Sequence, residues 1–317
     1  MTKPDLPAPI SRLPILIAGP TAAGKSEMAL CLAEPLGGEI ISADSMQVYR
    51  GLDLGTAKPS PADRARVPHH LIDILDLTGS FDVAQFIRLA KIAVAEIQSR
   101  EKIPIFCGGT GLYFKAFLSG LGEAPPANPD LRAELETTSF EALLRELRER
   151  DPVAYEKIYK QNPRRVIRAV EVIRLTGKKF SEQRAEWKSE VQSPKPKNFF
   201  ACSRQPADLH ARINARVDAM FQRGLVDETR ELLKRGLAEN KTAMQAIGYR
   251  QVVEHLRGER SLPETIEWVK IRTRQFAKRQ LTWFRAQKNL EWIDLKPDEP
   301  LAAVAENLVH RLRKNSD

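Results

Sequence analysis

Residues 13–26 read Leu-Pro-Ile-Leu-Ile-Ala-Gly-Pro-Thr-Ala-Ala-Gly-Lys-Ser, an apolar run of strand length that breaks into a glycine-bounded loop. The last eight of these, Gly19, Pro20, Thr21, Ala22, Ala23, Gly24, Lys25 and Ser26, fit G-x-x-x-x-G-K-[ST], and an amphipathic helical pattern follows over Ser26–Glu34. In that order, strand, loop and helix let backbone N–H groups wrap a phosphate while the helix N-terminus adds its dipole. Lys25 is then placed for the terminal phosphates and Ser26 for a magnesium ion. The same glycines could merely open a helix, and the strand in front of them is what separates the two readings.

Further along the chain, Glu39–Ala43 is a second short apolar run, ending at Asp44, and Ile103–Cys107 is a third, ending at Gly108-Gly109. Between them, Val83–Arg100 has helical apolar spacing at Val83, Phe86, Ile87, Ala90, Val94 and Ile97. Strand-length runs alternating with helices predict an α/β fold, a P-loop NTPase-like parallel sheet with ligands at its carboxyl edge. The composition changes after Gly122. Glu123–Asp130 holds three prolines and reads as a linker, Leu131–Arg184 is helical and highly charged, and Ser193–Asn198 is a second linker. A short apolar stretch, Asn198–Cys202, returns to the sheet, and the rest is mostly helical, including Ala211–Arg223, Val226–Arg235 and Glu264–Gln287. The expected organisation is a first part of the P-loop core over 1–122 and an all-helical insertion domain over 123–197. Residues 198–317 complete the core and add a basic helical C-terminal part.

With 317 residues, 42% hydrophobic and 29% charged, the chain is neither disordered nor collagen-like. Three scattered cysteines, Cys31, Cys107 and Cys202, fit neither a disulfide framework nor a metal clip, so a reducing compartment is expected. No apolar run approaches the roughly 18 residues of a membrane span. Met1–Pro14 has four prolines and no long apolar segment, and is not read as a signal peptide. A cytoplasmic location and a monomer are the expectations. Lys and Arg number 50 against 41 Asp and Glu, a net charge of +9. Residues 1–121 carry 12 of each sign, 122–198 carry 16 and 13, and 199–317 carry 22 and 16. The positive excess, and with it any large anionic partner, belongs outside the first third.

A nucleotide hydrolase would need a second acid at a strand end. Ile103–Cys107 ends instead in Gly108-Gly109-Thr110-Gly111, and His69-His70-Leu-Ile-Asp73 offers an acid only after a very short apolar run. Asp44, at the end of the second run, is either a metal ligand or general base, or a helix cap or turn residue. The Gly108–Gly111 turn either brings Thr110 to a second anion or simply closes a strand. Arg212 and Arg216, one helical turn apart, could grip a diphosphate together or pair with Asp208 or Asp218. Two basic clusters stand out: Arg164, Arg165 and Arg168 on a helix begun by Asn162-Pro163, and Lys270–Lys288. The latter holds Lys270, Arg272, Arg274, Lys278, Arg279, Arg285 and Lys288 with no acid among them, interleaved with Phe276, Trp283 and Phe284. Such a stretch suits a nucleic-acid backbone with stacked bases, or a solvated face over an aromatic core stripe. The five histidines lack metal-ligand spacing.

Together these pieces closely resemble the bacterial tRNA dimethylallyltransferases, also called tRNA isopentenyltransferases, across nearly the whole chain. The resemblance rests on Gly19–Ser26, Ile41–Tyr49 (ISADSMQVY), Gly51–Pro59 (GLDLGTAKP), His69–Asp73 (HHLID), Gly108–Lys115 (GGTGLYFK), Arg164–Val172 (RRVIRAVEV), Gly248–Gln251 (GYRQ) and Ala277–Arg285 (AKRQLTWFR). It implies transfer of a five-carbon allyl group from dimethylallyl diphosphate to the N6 amine of the adenosine 3′ of the anticodon, in tRNAs reading codons that begin with U. A phosphate loop reused for an allylic diphosphate needs no water-activating acid.

By the same resemblance, Gly19 to Ser26 bind the substrate diphosphate, with Mg²⁺ at Ser26. Asp44, Lys25, Thr21 and Arg216 carry the catalysis, Asp44 as the base. Contacts to tRNA would come from Asp44, Ser45, Met46, Gln47, Thr110, Arg132, Arg164, Arg165, Val166, Ile167, Arg168, Gln245, Ala246, Ile247, Gly248, Tyr249, Arg250 and Arg279. The target base must leave the anticodon stack to reach a buried diphosphate. Two positions depart from the family pattern: Asn162 stands where Asp is usual and Cys107 where Val is usual. The zinc finger of eukaryotic relatives is missing from this sequence.

Overall fold

A computed structural model describes residues 13–121, 125–158, 160–185 and 198–314. Residues 1–12, which the sequence reading did not take as a signal peptide, Glu123 and Ala124 of the first expected linker, and Ser193–Lys197 of the second lie outside the described residues.

Among the described residues, six strands form one sheet: β1 (Ile15–Ala18), β2 (Gly38–Ser42), β3 (His69–His70), β4 (Ile103–Cys107), β5 (Phe199–Ser203) and β6 (Glu291–Asp294). Their order is β3-β2-β4-β1-β5-β6 and every pairing is parallel. β1 and β2 are buried along their whole length, which is why β1 reads as an unbroken apolar run and β2 as a short one around Ile40 and Ile41 rather than as alternating strands. β3 and β6 were not foreseen. Both are short edge strands with half-exposed residues, so neither carries an apolar run that could announce it.

The order reverses direction around β1, since the chain runs from β1 to β2 on one side and from β4 to β5 on the other. Crevices at such a switch point are where open α/β sheets bind ligands. Here the loop after β1 and the turn after β4 are neighbours, tied by Gly108 N–H donating to the Ile17 carbonyl at 3.1 Å. Helix α1 (Lys25–Leu36) opens directly from the first loop, and α14 (Leu301–Lys314) joins it in the main core through Leu301, Ala305, Leu308 and Leu312. Helices α2 (Pro61–Arg66) and α3 (Val83–Ser99) each begin with a reciprocal capping box, Ser60 with Asp63 and Asp82 with Gln85. α4 (Gly111–Ser119) follows β4.

The chain divides into two compact units, Met1–Phe114 with Lys195–Asp317, and Lys115–Pro194. The sequence reading set its breaks at 122/123 and 197/198. The second unit holds α5 (Pro129–Thr137), α6 (Phe140–Arg150), α7 (Pro152–Lys157), α8 (Pro163–Thr176) and α9 (Phe180–Ala185). Asn128, Ser139, Asp151 and Asn162 cap the first four of these through their side chains. Asn162 accepts the Arg165 N–H, as an aspartate could, so the departure from the family residue keeps its local role. Leu135, Leu143, Leu147, Val166, Val170 and Ile173 form this unit's core. Within it lies the fully buried carboxylate of Glu171, which accepts from the Asn128 N–H, Arg132 and Arg168.

In the first unit the remaining helices are α10 (Pro206–Gln222), α11 (Leu225–Lys234), α12 (Tyr249–Leu256) and α13 (Leu262–Arg285). Leu209, Ile213 and Val217 of α10 and Val269 and Ala277 of α13 enclose Ala22, so the glycine loop is backed by a dedicated apolar cluster.

Candidate active site

The loop between β1 and α1 has the backbone of a phosphate cradle. Gly19 sits at φ +132°, and a Cβ there would lie 2.4 Å from the Cys202 carbonyl of β5, so only glycine fits. Gly24, at φ +104°, turns the chain into α1. The Lys25 ammonium folds back onto the Pro20 carbonyl at 2.6 Å. Burial holds its pKa below the usual lysine range, with Arg216 adding to the depression and Asp44 opposing it.

One cleft at the carboxyl edge of the sheet brings together Thr21, Lys25 and Ser26 of the loop, Asp44 after β2, Gly108 and Gly109 after β4, Arg216 of α10, and Phe276 and Gln280 of α13. The wall opposite is made by Thr56, Ala57 and Pro59, with His69 and Ile72. Asp44 combines both readings the sequence left open. Its Oδ1 accepts the Met46 N–H at 2.8 Å, a local turn, and its carboxyl group lines the cleft. Burial pushes its pKa above the usual carboxylate range, while the Met46 amide and Lys25 pull the other way.

Arg216 donates to the Thr21 hydroxyl at 3.4 Å, and burial with Arg212 nearby lowers its pKa. Arg212 does not pair with Asp208 or Asp218. It donates to the Ala22 carbonyl at 3.0 Å, because Arg204 already holds Asp208 and Lys270 holds Asp218. The arginine pair thus grips the phosphate loop itself. Thr110 accepts the Ser45 N–H at 3.2 Å and donates its own N–H to the Ala43 carbonyl, so the glycine turn braces the backbone around Asp44. Gln47 has a similar bracing role: it accepts from the Ser42 hydroxyl and donates to the Thr56 carbonyl.

Among the described residues no cluster of three or more His, Cys, Asp or Glu is arranged for a metal. The Ser26 hydroxyl, at the first turn of α1, shares the cleft with the single carboxylate of Asp44. That sparse donor set fits Mg²⁺, which keeps several waters and is held by few protein oxygens together with substrate phosphates. It does not fit a caged metal. Cys107, beside Ser26, has its thiol pushed up to about 11 by burial, and Cys202 is pushed up to about 12, so both stay protonated and inert.

Several expected RNA contacts are interior residues. Val166 is enclosed in the core of the helical unit, and Ala246, Gly248 and Tyr249 are buried beside α11. The Tyr249 hydroxyl accepts the Gly55 N–H at 3.0 Å and donates to Glu228 at 2.5 Å, while Glu228 also accepts the Leu54 N–H. These side chains fix the loop that leads into Thr56 and Ala57, so their surfaces are consumed by packing. Met46 and Ile247 are partly buried against neighbouring cores, and Ile167 likewise within the helical unit. Gln245, Arg250, Arg164, Arg165 and Arg279 are exposed. Within the basic helix, Lys270 is paired with Asp218 and Glu267, Arg272 lies over Trp268, and Arg274 donates to Asn214. Phe284 is fully buried and Trp283 packs edge-on against it, whereas Phe276 is exposed at the cleft.

Gln280 is the site residue that sequence reasoning passed over. Its Oε1 accepts the Thr21 N–H at 2.8 Å and its Nε2 donates to the Gly109 carbonyl at 2.9 Å. The available signal was its position: Ala277, Gln280 and Phe284 share the buried stripe of α13, where an amide has no place unless it finds partners.

The IPP transferase family model matches residues 47–287. The chain is 42% identical over 306 residues to the tRNA dimethylallyltransferase of Syntrophobacter fumaroxidans, covering 95% of this chain and 87% of that protein. It is 47% identical over 280 residues to the tRNA dimethylallyltransferase of Halorhodospira halophila, covering 86% and 90%. Among solved structures, the full-length tRNA isopentenylpyrophosphate transferase of Bacillus halodurans superimposes with a TM-score of 0.69 at 39% identity, covering 96% of this chain and 98% of that one. A eukaryotic dimethylallyltransferase acting on tRNA gives a TM-score of 0.79 at 28% identity, covering 97% and 81%. With a phosphate loop, a half-buried carboxylate in the same cleft and this breadth of likeness, the chain belongs to the IPP transferase family, the tRNA dimethylallyltransferases.

Proposed function

We propose that the protein transfers the dimethylallyl group of dimethylallyl diphosphate to the N6 amine of the adenosine 3′ of the anticodon, in tRNAs reading codons that begin with U, and releases diphosphate. One observation carries the reading: Asp44, with its pKa raised, shares a cleft with Lys25, Ser26 and Arg216. That arrangement sets a proton acceptor against a diphosphate grip.

The loop amides, Lys25 and Arg216 hold the diphosphate, and Thr21 is oriented by its bond to Arg216. Mg²⁺ bound at Ser26 would supply charge neutralisation for the leaving diphosphate. The exocyclic amine is a weak nucleophile because its lone pair is delocalised into the ring. As the N6–carbon bond forms, the carbon–oxygen bond breaks and the electron pair leaves with the diphosphate. Asp44 accepts the N6 proton, and its raised pKa makes it the stronger base for that step. The exposed Arg279, with Phe276 beside it, and the exposed Arg164 and Arg165 of the helical unit are the cations best placed for the RNA backbone.

No described helix is long and apolar enough to cross a membrane. A monomeric enzyme working in the cytoplasm, where tRNA is processed, follows from the reading. The test offers labelled dimethylallyl diphosphate and Mg²⁺ with undermodified tRNA, with free AMP, and separately ATP with a phosphate acceptor. Label in tRNA alone is expected; label in AMP, or loss of the terminal phosphate of ATP, overturns the assignment.

A further inference from the structure

Gln280 stands at a junction that no loop motif describes. Three segments meet at its side-chain amide: the phosphate loop through Thr21, the turn after β4 through Gly109, and α13, on which it sits. The Thr21 N–H can only donate and the Gly109 carbonyl can only accept, so the two bonds fix which way the amide faces. Gln280 is 7% exposed, and a Cβ on Gly109 would lie 2.2 Å from its Nε2, so the turn is shaped to admit it. The turn it holds is also the one whose Thr110 accepts the Ser45 N–H and donates to the Ala43 carbonyl on either side of Asp44.

We propose that Gln280 is a positioning residue that fixes the distance between the diphosphate grip and the proton acceptor, by clamping the Thr21 amide on one side and the Gly109 carbonyl on the other. It acts through these neighbours and takes no proton itself. On the leaving-group side it fixes the backbone from which the Thr21 hydroxyl meets Arg216. On the acceptor side it holds the turn that braces Asp44. Because the Thr21 N–H is occupied by Gln280, the diphosphate is left to the other amides of the loop, Lys25 and Arg216. The inference rests on the transferase reading above, and its test keeps the two apart.

Gln280→Glu keeps the shape and the acceptor for Thr21 but sets a carboxylate oxygen against the Gly109 carbonyl. Gln280→Met keeps the volume and removes both bonds. Wild type and both variants are assayed with dimethylallyl diphosphate and an anticodon stem–loop RNA. The assays measure kcat, KM for each substrate, RNA affinity and the thermal unfolding midpoint. A positioning role predicts that Gln280→Glu loses on the order of 10–100-fold in kcat, the scale set by small misplacements of reacting groups. Its RNA affinity stays within a few-fold and its unfolding midpoint is near that of wild type, with Gln280→Met losing at least as much. Gln280→Glu within twofold of wild type in kcat overturns the proposal, as do losses in both variants that only follow RNA affinity or the unfolding midpoint. A wild-type protein that fails to prenylate the RNA refutes the transferase reading itself, whatever the variants do.

Discussion

The Asp44 carboxylate accepts the Met46 N–H at 2.8 Å, so the residue that faces the cleft is also the residue that closes its own turn. The turn fixes the carboxyl plane and leaves lone pairs for a substrate proton. Asp44→Asn separates the two roles, because an amide oxygen can still accept from Met46 but is a negligible base. Transfer should fall by roughly 10²–10⁴-fold, the usual contribution of general base catalysis, with RNA affinity within a few-fold. Since the folded pKa is raised, ionised Asp44 opposes folding above the ordinary carboxylate range, and Asn relieves that. The unfolding midpoint at neutral pH therefore holds or rises. A large drop in RNA affinity with intact turnover per bound complex would refute the base role.

The opposite shifts of Asp44 and Lys25 make a pH profile the second check. As pH falls through the raised Asp44 pKa the base becomes protonated, so the acid limb of kcat/KM should lie above the ordinary aspartate value of about 3.9. As pH rises through the lowered Lys25 pKa the ammonium is lost, so the alkaline limb should lie below the ordinary lysine value of about 10.4. The residual activity of Asp44→Asn should lack the acid limb. An acid limb that survives the substitution would assign that proton to another group.

Tyr249 lies in a stretch the family resemblance assigns to RNA, yet its hydroxyl is turned inward between the Gly55 amide and Glu228. Tyr249→Phe leaves the Gly55 N–H unpaired and Glu228 with one donor fewer, at a cost of about 1–3 kcal/mol. Urea unfolding should detect that loss, and the salt dependence of RNA binding should not change. A flattened salt dependence without loss of stability would restore the direct RNA contact.

What the sequence made legible follows burial. β1, β2 and β4 are flanked on both sides in the sheet and are largely apolar, with Glu39 and Ser42 as the buried polar exceptions in β2, and Gly19 and Gly24 mark the loop after β1. Strands β3 and β6 are edges and carry no such run. The candidate site was legible where it is local, as in Lys25, Ser26 and Asp44. It was not legible where it depends on chain segments far apart, as in Gln280 and Thr21, 259 residues from each other. Arg212 shows the same limit: its nearby acids were the obvious partners, and the fold gave it a backbone carbonyl instead.

In the helical unit, Glu171 lies fully buried between Arg132 and Arg168. Burial alone would raise its pKa, but the two guanidinium groups and the Asn128 N–H bring it below the usual glutamate range. A depressed folded pKa means stability that is present above the unfolded value of about 4.3 and is lost as pH falls through the folded one. Glu171→Ala removes the buried acceptor that joins Arg132, Arg168 and the Asn128 N–H, and should cost about 1–3 kcal/mol because the partly exposed arginines can turn to water. The check is urea unfolding of the full chain at neutral pH and across the acid range. The variant should lose both the stability and its fall below the unfolded glutamate value. An unchanged acid profile would show that another carboxylate sets it.

Because Arg168 is committed to Glu171 and the Pro125 carbonyl, it should differ from Arg165 and Arg279, which are exposed, when each is replaced by alanine. A cation that neutralises an RNA phosphate releases counterions, and its removal should reduce the slope of log K against log salt by about 0.7–0.9 per lost contact. Arg165→Ala and Arg279→Ala should each flatten the slope in this way with little effect on unfolding. Arg168→Ala should instead lower the unfolding midpoint, since it strips a buried carboxylate of one of its donors. Titrations of an anticodon stem–loop at several salt concentrations, paired with thermal unfolding, distinguish the two classes. A stable Arg168→Ala variant with a flattened slope would move Arg168 from the interior network to the RNA surface.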